Sequence, residues 1–161
     1  MRLNGQLLLV KKLHLIVVGK LKDKNIEALE KDFLQRINSV DFQIHELKAN
    51  AQDKSSEGKL ILKKIQDINK TQNCHVVALT EFGKERDSVG FSKWLYNNLE
   101  SSQGLIFIIA GAEGFDASVL SASQERISLS KLTFPHKLAR LLFIEQIYRA
   151  ITIKENHPYH N

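Results

Sequence analysis

Apolar and polar residues follow two rhythms along this chain. Short apolar runs, "LHLIVVG" (13–19), "CHVVALT" (74–80) and "GLIFIIA" (104–110), are separated by longer stretches whose apolar residues return every three or four positions. The first rhythm predicts strands and the second predicts amphipathic helices. Helices are expected over about 25–37, with Ile26, Leu29, Phe33 and Ile37 on one face, and over 57–69, with Leu60, Ile61, Ile65 and Ile68 in register. A third is expected over 88–99, carrying Phe91, Leu95 and Leu99, with Ser88 as its N-cap. "FQIHEL" (42–47) alternates as a half-buried strand does, and "KANAQDKSSE" (48–57) reads as a loop. A short helix over 117–125 and the short segment "ISLS" (127–130) complete the middle of the chain. Strands apolar on both faces and spaced by helices require a sheet covered on both sides. The expected class is α/β: a single domain with a parallel-type sheet of about five strands and helices on both faces.

The last helix, about 136–151, has no single wet face. Leu138, Leu141, Leu142, Phe143, Ile144, Ile147 and Ile151 spread around its circumference, and Arg140 and Arg149 point in opposite directions. Such a helix must be covered on more than one side. In so small a domain the expected cover is a second subunit, which makes the protein a homodimer.

Composition narrows the setting. A chain of 161 residues is long enough for one well-filled core. Its apolar runs are too short to span a bilayer, and the lysines at 11–12 interrupt any secretory signal, so no membrane partner and a cytoplasmic location are expected. The single Cys74, at the head of an apolar run, is expected to be a buried structural thiol. A net charge of +5 and a pI of about 9.3 point towards a polyanionic partner. Between Arg126 and the C-terminus, Arg126, Lys131, Lys137, Arg140, Arg149 and Lys154 stand against only Glu145 and Glu155, so phosphate contacts are expected there.

Two loops carry candidate binding chemistry. "IAGAEGF" (109–115) reads as strand, glycine turn and helix start, at the carboxyl end of a strand where ligands of open α/β sheets bind. It is not G-x-G-x-x-G, and no phosphate-binding P-loop occurs. "SLSKLTFPH" (128–136) offers main-chain donors and acceptors before a proline-fixed helix start, with Leu132 and Phe134 able to sandwich a flat ring. No G-x-S-x-G elbow is present. His157-x-x-His160 supplies two ligands at most, so no metal is expected.

The pieces "LIVVGKLKDK", "VVALTEFGK", "FIIAGAEGF", "SLSKLTFPHKLARLLFIEQIYRA" and "HPYH", in this order and spacing, resemble the RlmH family over residues 13–161. These are small SPOUT-class methyltransferases acting on N3 of a pseudouridine in 23S ribosomal RNA. The resemblance implies an α/β fold with a C-terminal trefoil knot, dimerisation through the knot region, and S-adenosylmethionine as cofactor. By position, it implies cofactor contacts from Leu79, Ala110, Gly111, Leu129, Ser130, Lys131, Leu132, Thr133 and Phe134. Family members carry two glycines where this chain has Ala110-Gly111. Residues 1–12 precede the matching part and are expected to be an extension.

The implied chemistry needs groups that present the base and remove its N3 proton. The candidates are Arg149, to favour an anionic base or grip a phosphate, Tyr159, to stack on or orient the ring, and His160, as general base. The implied partner is 23S rRNA within the large subunit or the assembled ribosome. A different RNA target, and a non-catalytic RNA-binding module of the same fold, stand as alternatives.

Overall fold

The computed structural model describes residues 2–3, 6–7, 10–50 and 53–160. Five strands form a wholly parallel sheet: β3 (Lys12–Val18), β4 (Asp41–Leu47), β5 (Cys74–Glu85), β6 (Gly104–Ile109) and β7 (Glu125–Ser128). Their spatial order is β4-β3-β6-β5-β7. Upstream, β1 (Arg2–Leu3) and β2 (Gln6–Leu7) pair antiparallel.

Alternation along the strands divides the core in two. Leu13, Leu15, Val17, Leu105 and Phe107 point to the face covered by α1 (Lys24–Arg36), α3 (Ser88–Ser101) and α5 (His136–Lys154). Ile16, Val18, Ile106 and Ile108 point to the other, under α2 (Lys54–Asn69) and α4 (Ala117–Ala122). The expected single α/β domain with helices on both faces is what the chain adopts. Phe107 and Phe143, both fully buried, meet with ring centroids 4.6 Å apart. Each such side chain stabilises by about 1.5–3 kcal/mol, so β6 and α5 together anchor the first face.

Several boundaries differ from the sequence expectation. The cap of α3 is Asp87, whose carboxylate accepts the Gly90 N–H at 2.6 Å, while Ser88 lies inside the helix and donates to Gln146 at 3.2 Å. The segment 48–57 is a loop only in part: Asp53 caps α2 by accepting the Ser56 N–H at 2.9 Å, so the helix begins at Lys54. On α1, Leu29 faces solvent and Glu30 faces inward, because Glu30 has a buried partner described below. The last helix runs to Lys154 and the strand beginning at Cys74 continues to Glu85.

That longer strand has a consequence for the site. Leu79 and Lys84 both stand opposite Ile127 of β7, so Thr80–Gly83 form an excursion from the ladder. Gly83 lies so close to the Ile127 main chain that a Cβ there would overlap it. The excursion, the end of β6 and the β7–α5 connector all emerge at the carboxyl end of the sheet.

Candidate active site

A cleft of about 770 Å³ opens at that end. Leu79 and the excursion form one wall, Ala110 and Gly111 with the glycine turn a second, and residues of the connector from Leu129 to Pro135, with His136 and Ala139 of α5 but without Lys131, a third. The turn closes through the Gly114 N–H donating to the Gly111 carbonyl at 3.0 Å, with Gly114 at φ 77°, a conformation that favours glycine. In the connector, Ser128 Oγ donates to the Ser130 carbonyl at 2.8 Å and Ser130 Oγ accepts the Leu132 N–H at 3.0 Å. Pro135 then ends the loop, and its carbonyl accepts from Leu138 and Ala139 to start α5.

Leu79, Ala110, Gly111, Leu129, Ser130, Leu132, Thr133 and Phe134, the residues proposed from sequence to hold a cofactor, line this one cleft. Lys131 sits among them in the chain but its side chain is exposed and does not line it. Lys54, the first residue of α2, reaches the cleft as well and had no sequence signal of its own.

The C-terminal residues form a second, separate arrangement. Asn156 takes a left-handed φ of 53°, the His157 N–H donates to the Thr152 carbonyl at 2.8 Å, and a short 3-10 turn (Pro158–His160) folds back along α5. Glu145 organises it. Its Oε1 accepts from Tyr159 Oη at 3.1 Å and from Arg149 Nε at 3.0 Å, and lies 2.8 Å from Arg149 Nη2. The Arg149 guanidinium lies 4.8 Å from the Tyr159 ring centroid, and Tyr148 meets the same ring edge-on at 4.7 Å. Arg149 Nη1 stands 3.4 Å from His160 Nδ1.

The chemistry of these contacts constrains each residue. Arginine only donates, so His160 Nδ1 is the acceptor, and the neutral ring carries its proton on Nε2. Burial, and then the charge of Glu145, push the Tyr159 hydroxyl above the ordinary tyrosine range, so it stays protonated at neutral pH. The structure thus brings Arg149, Tyr159 and His160 together, but none of the three lines the cleft of its own chain.

A family model described as "Predicted SPOUT methyltransferase" matches residues 11–160. A protein of Phocaeicola vulgatus named ribosomal RNA large subunit methyltransferase H is 41% identical over 162 residues, covering 93% of this chain and 99% of its own. Proteins with the same name from Christiangramia forsetii and Flavobacterium johnsoniae are 40% and 36% identical over 157 residues, each covering 91% of this chain and 97% of its own. The chain belongs to the RlmH family of SPOUT methyltransferases. Enzymes of the SPOUT class generally use S-adenosylmethionine. Among the described residues no group of three His, Cys, Asp or Glu could hold a metal ion, and no helix is long and apolar enough to cross a membrane.

Within this SPOUT domain one of the basic residues expected to meet phosphate is not free to do so. Arg140, 7% exposed, donates to Glu30 from Nε at 2.8 Å and from Nη2 at 2.6 Å, and to Glu46 from Nη1 at 2.7 Å. With three of its five N–H donors committed to two carboxylates and the side chain almost wholly buried, this guanidinium is not presented to a phosphate. Lys131, Lys154 and Arg126 remain exposed. Cys74 is buried, and burial pushes its thiol above the ordinary range, as suits a structural residue. Sequence reasoning missed Glu145; its spacing of four from Arg149 on a helix was the available signal.

Proposed function

We propose that the protein is an S-adenosylmethionine-dependent methyltransferase of the cytoplasm that methylates N3 of a pseudouridine in 23S ribosomal RNA, acting on the large subunit or the ribosome. The observation that carries this reading is the single cleft shared by the glycine turn and the connector. Its size fits a nucleoside joined to an amino acid, and its wall chemistry fits too: Leu79, Ile109, Leu120, Leu129 and Phe134 suit a flat ring and a thioether, and the main chain of 110–114 and 130–133 suits the polar edges. Bound there, the cofactor would supply a methyl carbon made electrophilic by its sulfonium, transferable to nitrogen with loss of its C–S bond.

The chain's own residues must hold the accepting nitrogen about 3–3.5 Å from that carbon and take its proton. Tyr159, with its hydroxyl committed to Glu145, orients or stacks on the base, and Arg149 favours the imide anion. His160 takes the N3 proton on Nδ1 once Arg149 gives way; a 3.4 Å contact at the surface is weak enough to exchange.

Because the tail does not reach the cleft of its own chain, the working site needs two copies, the tail of one completing the cleft of the other. Bare apolar residues support the dimer: on α5 Leu138 and Leu142 are 42% and 40% exposed, and beside the cleft Leu132 and Phe82 are 70% and 92% exposed. The close passage of Gly83 under Ile127, where β5 leaves and rejoins the same partner residue, favours the threaded crossing of a trefoil knot. Residues 13–161 make up this methyltransferase domain.

His160→Ala, and deletion of residues 158–161, test the assignment. Both should keep affinity for S-adenosylmethionine, measured calorimetrically, while turnover on ribosomal substrate falls by at least about a hundredfold. Unchanged methylation by both variants would remove the tail from the chemistry, and mapping the methylated nucleotide checks the target.

A further inference from the structure

Glu57 is a carboxylate in a costly place. It lies in the first turn of α2, 4% exposed, and among the described residues no cation pairs with it. Its Oε1 accepts the Asn50 N–H at 2.7 Å. An unpaired carboxylate pulled out of water is unfavourable, and the favourable field of a helix N-terminus offsets only part of that. An apolar side chain would fill the same space at lower cost, so the carboxylate needs another reason.

The reason lies on its far side. A Cβ built on Gly111 would stand 2.6 Å from Glu57 Oε2 and 3.2 Å from Oε1. Gly111 has no need of glycine for conformation, since Gly19 and Gly114 are the glycines with positive φ among the described residues. The space where a side chain at 111 would begin is filled by the Glu57 carboxylate, which burial and its bond to the Asn50 N–H hold in place. The next residue repeats the contact: a Cβ on Gly58 would stand 2.8 Å from Asp116 Cβ, at the other end of the glycine turn. One helical turn of α2 thus abuts the loop 111–116 at both ends. Lys54, three residues before Glu57, lines the cleft directly.

We infer that Glu57 is a positioning residue for the cofactor cleft: its carboxylate braces Gly111 from behind and ties the glycine turn to the main chain at Asn50. The inference rests on the reading that this cleft takes S-adenosylmethionine. The brace sets how far the Ala110-Gly111 main chain stands into the cleft, and so the spacing between that wall and the connector. It acts through Gly111 and touches no reacting atom.

A double-mutant cycle on the full chain tests it, with two readouts. Calorimetric titration with S-adenosylmethionine should show Gly111→Ala weakening binding by about tenfold or more in the wild-type background, and by much less when Glu57 is already Ala, because the added methyl then has room. Glu57→Gln, which keeps shape and the acceptor for Asn50, should bind within about threefold of wild type. The thermal midpoints of the unliganded proteins should show the same coupling, with Gly111→Ala lowering the midpoint less in the Glu57→Ala background. Equal penalties for Gly111→Ala in both backgrounds would overturn the brace, as would Glu57→Gln binding as weakly as Glu57→Ala. If the wild type fails to bind the cofactor at all, the proposed function falls, and the thermal cycle still decides the brace.

Discussion

Arg140 shows how much a single residue's role depends on what lies opposite it. In the sequence it is one of six Lys and Arg residues from Arg126 onward, and nothing distinguishes it from Lys137. In the structure it is the centre of an ion triad that joins α5 to α1 through the buried Glu30 and to β4 through Glu46 nearer the surface. Glu46 also accepts the Leu21 N–H at 3.4 Å, so the loop after β3 is tied to the same point. Arg140→Met should lower unfolding free energy by about 3–5 kcal/mol in urea titrations, because it leaves Glu30 buried without a partner. Replacing Glu30 by Leu in the same chain should recover most of that loss, since a fully apolar contact strands no charge. Arg149 illustrates the opposite case: its partner Glu145 is one helical turn away, so a helix of known register already suggests the pair.

Between elements, polar contacts decide registers that apolar patterning leaves open. β3 and β4 are joined not only by their ladder but by His14 and His45, whose Nδ1 and Nε2 stand 3.0 Å apart, with Gln72 3.2 Å from the other nitrogen of His14. One ring must donate and the other accept, so the pair is stable only while at least one is neutral. Burial lowers the pKa of His14 below its ordinary value of 6.5, partly countered by Gln72 and Asp41, and Lys12 lowers it further. Burial also lowers that of His45, with the charges of His14 and Lys64 acting in the same direction. Depressed folded values mean that the unfolded chain binds these protons first as pH falls. The contribution is complete above 6.5 and is lost as pH drops from there through the folded values. Thermal midpoints should therefore be flat near pH 7.5 and decline below 6.5, and His45→Asn should make that decline shallower; an unchanged slope would exclude the pair as its source. The same limit of patterning explains α1, where periodicity put Leu29 inside and the need to meet Arg140 put Glu30 there instead.

For the molecule as a whole, the arrangement of α5 is the decisive fact. Phe143, Ile144, Ile147 and Ile151 close the core of its own chain, while Leu138 and Leu142 stay partly open to solvent. The helix that covers one face of the sheet also carries the bare leucines on which the proposed dimer depends. Leu138→Asp combined with Leu142→Asp should give a folded monomer by light scattering. That monomer should retain the spectrum of the native protein and lose methyl transfer, since each cleft would lack the tail of its neighbour. A dimer that persists in this variant would place the contact between subunits elsewhere.

The order of strands and helices, the two cleft loops and the tail motif could all be read from residue order, because each is encoded by local periodicity, turn chemistry or contiguous spacing. The burial of Arg140, the brace of Glu57 behind Gly111, the excursion of β5 around Ile127 and the separation of the tail from its own cleft could not. Each joins groups far apart in the chain, and a polar residue carries the same symbol whether it meets water or a buried partner. Burial of charge, unlike burial of a leucine, is favourable only when a particular partner arrives in a particular geometry, and that meeting exists only once the chain is folded.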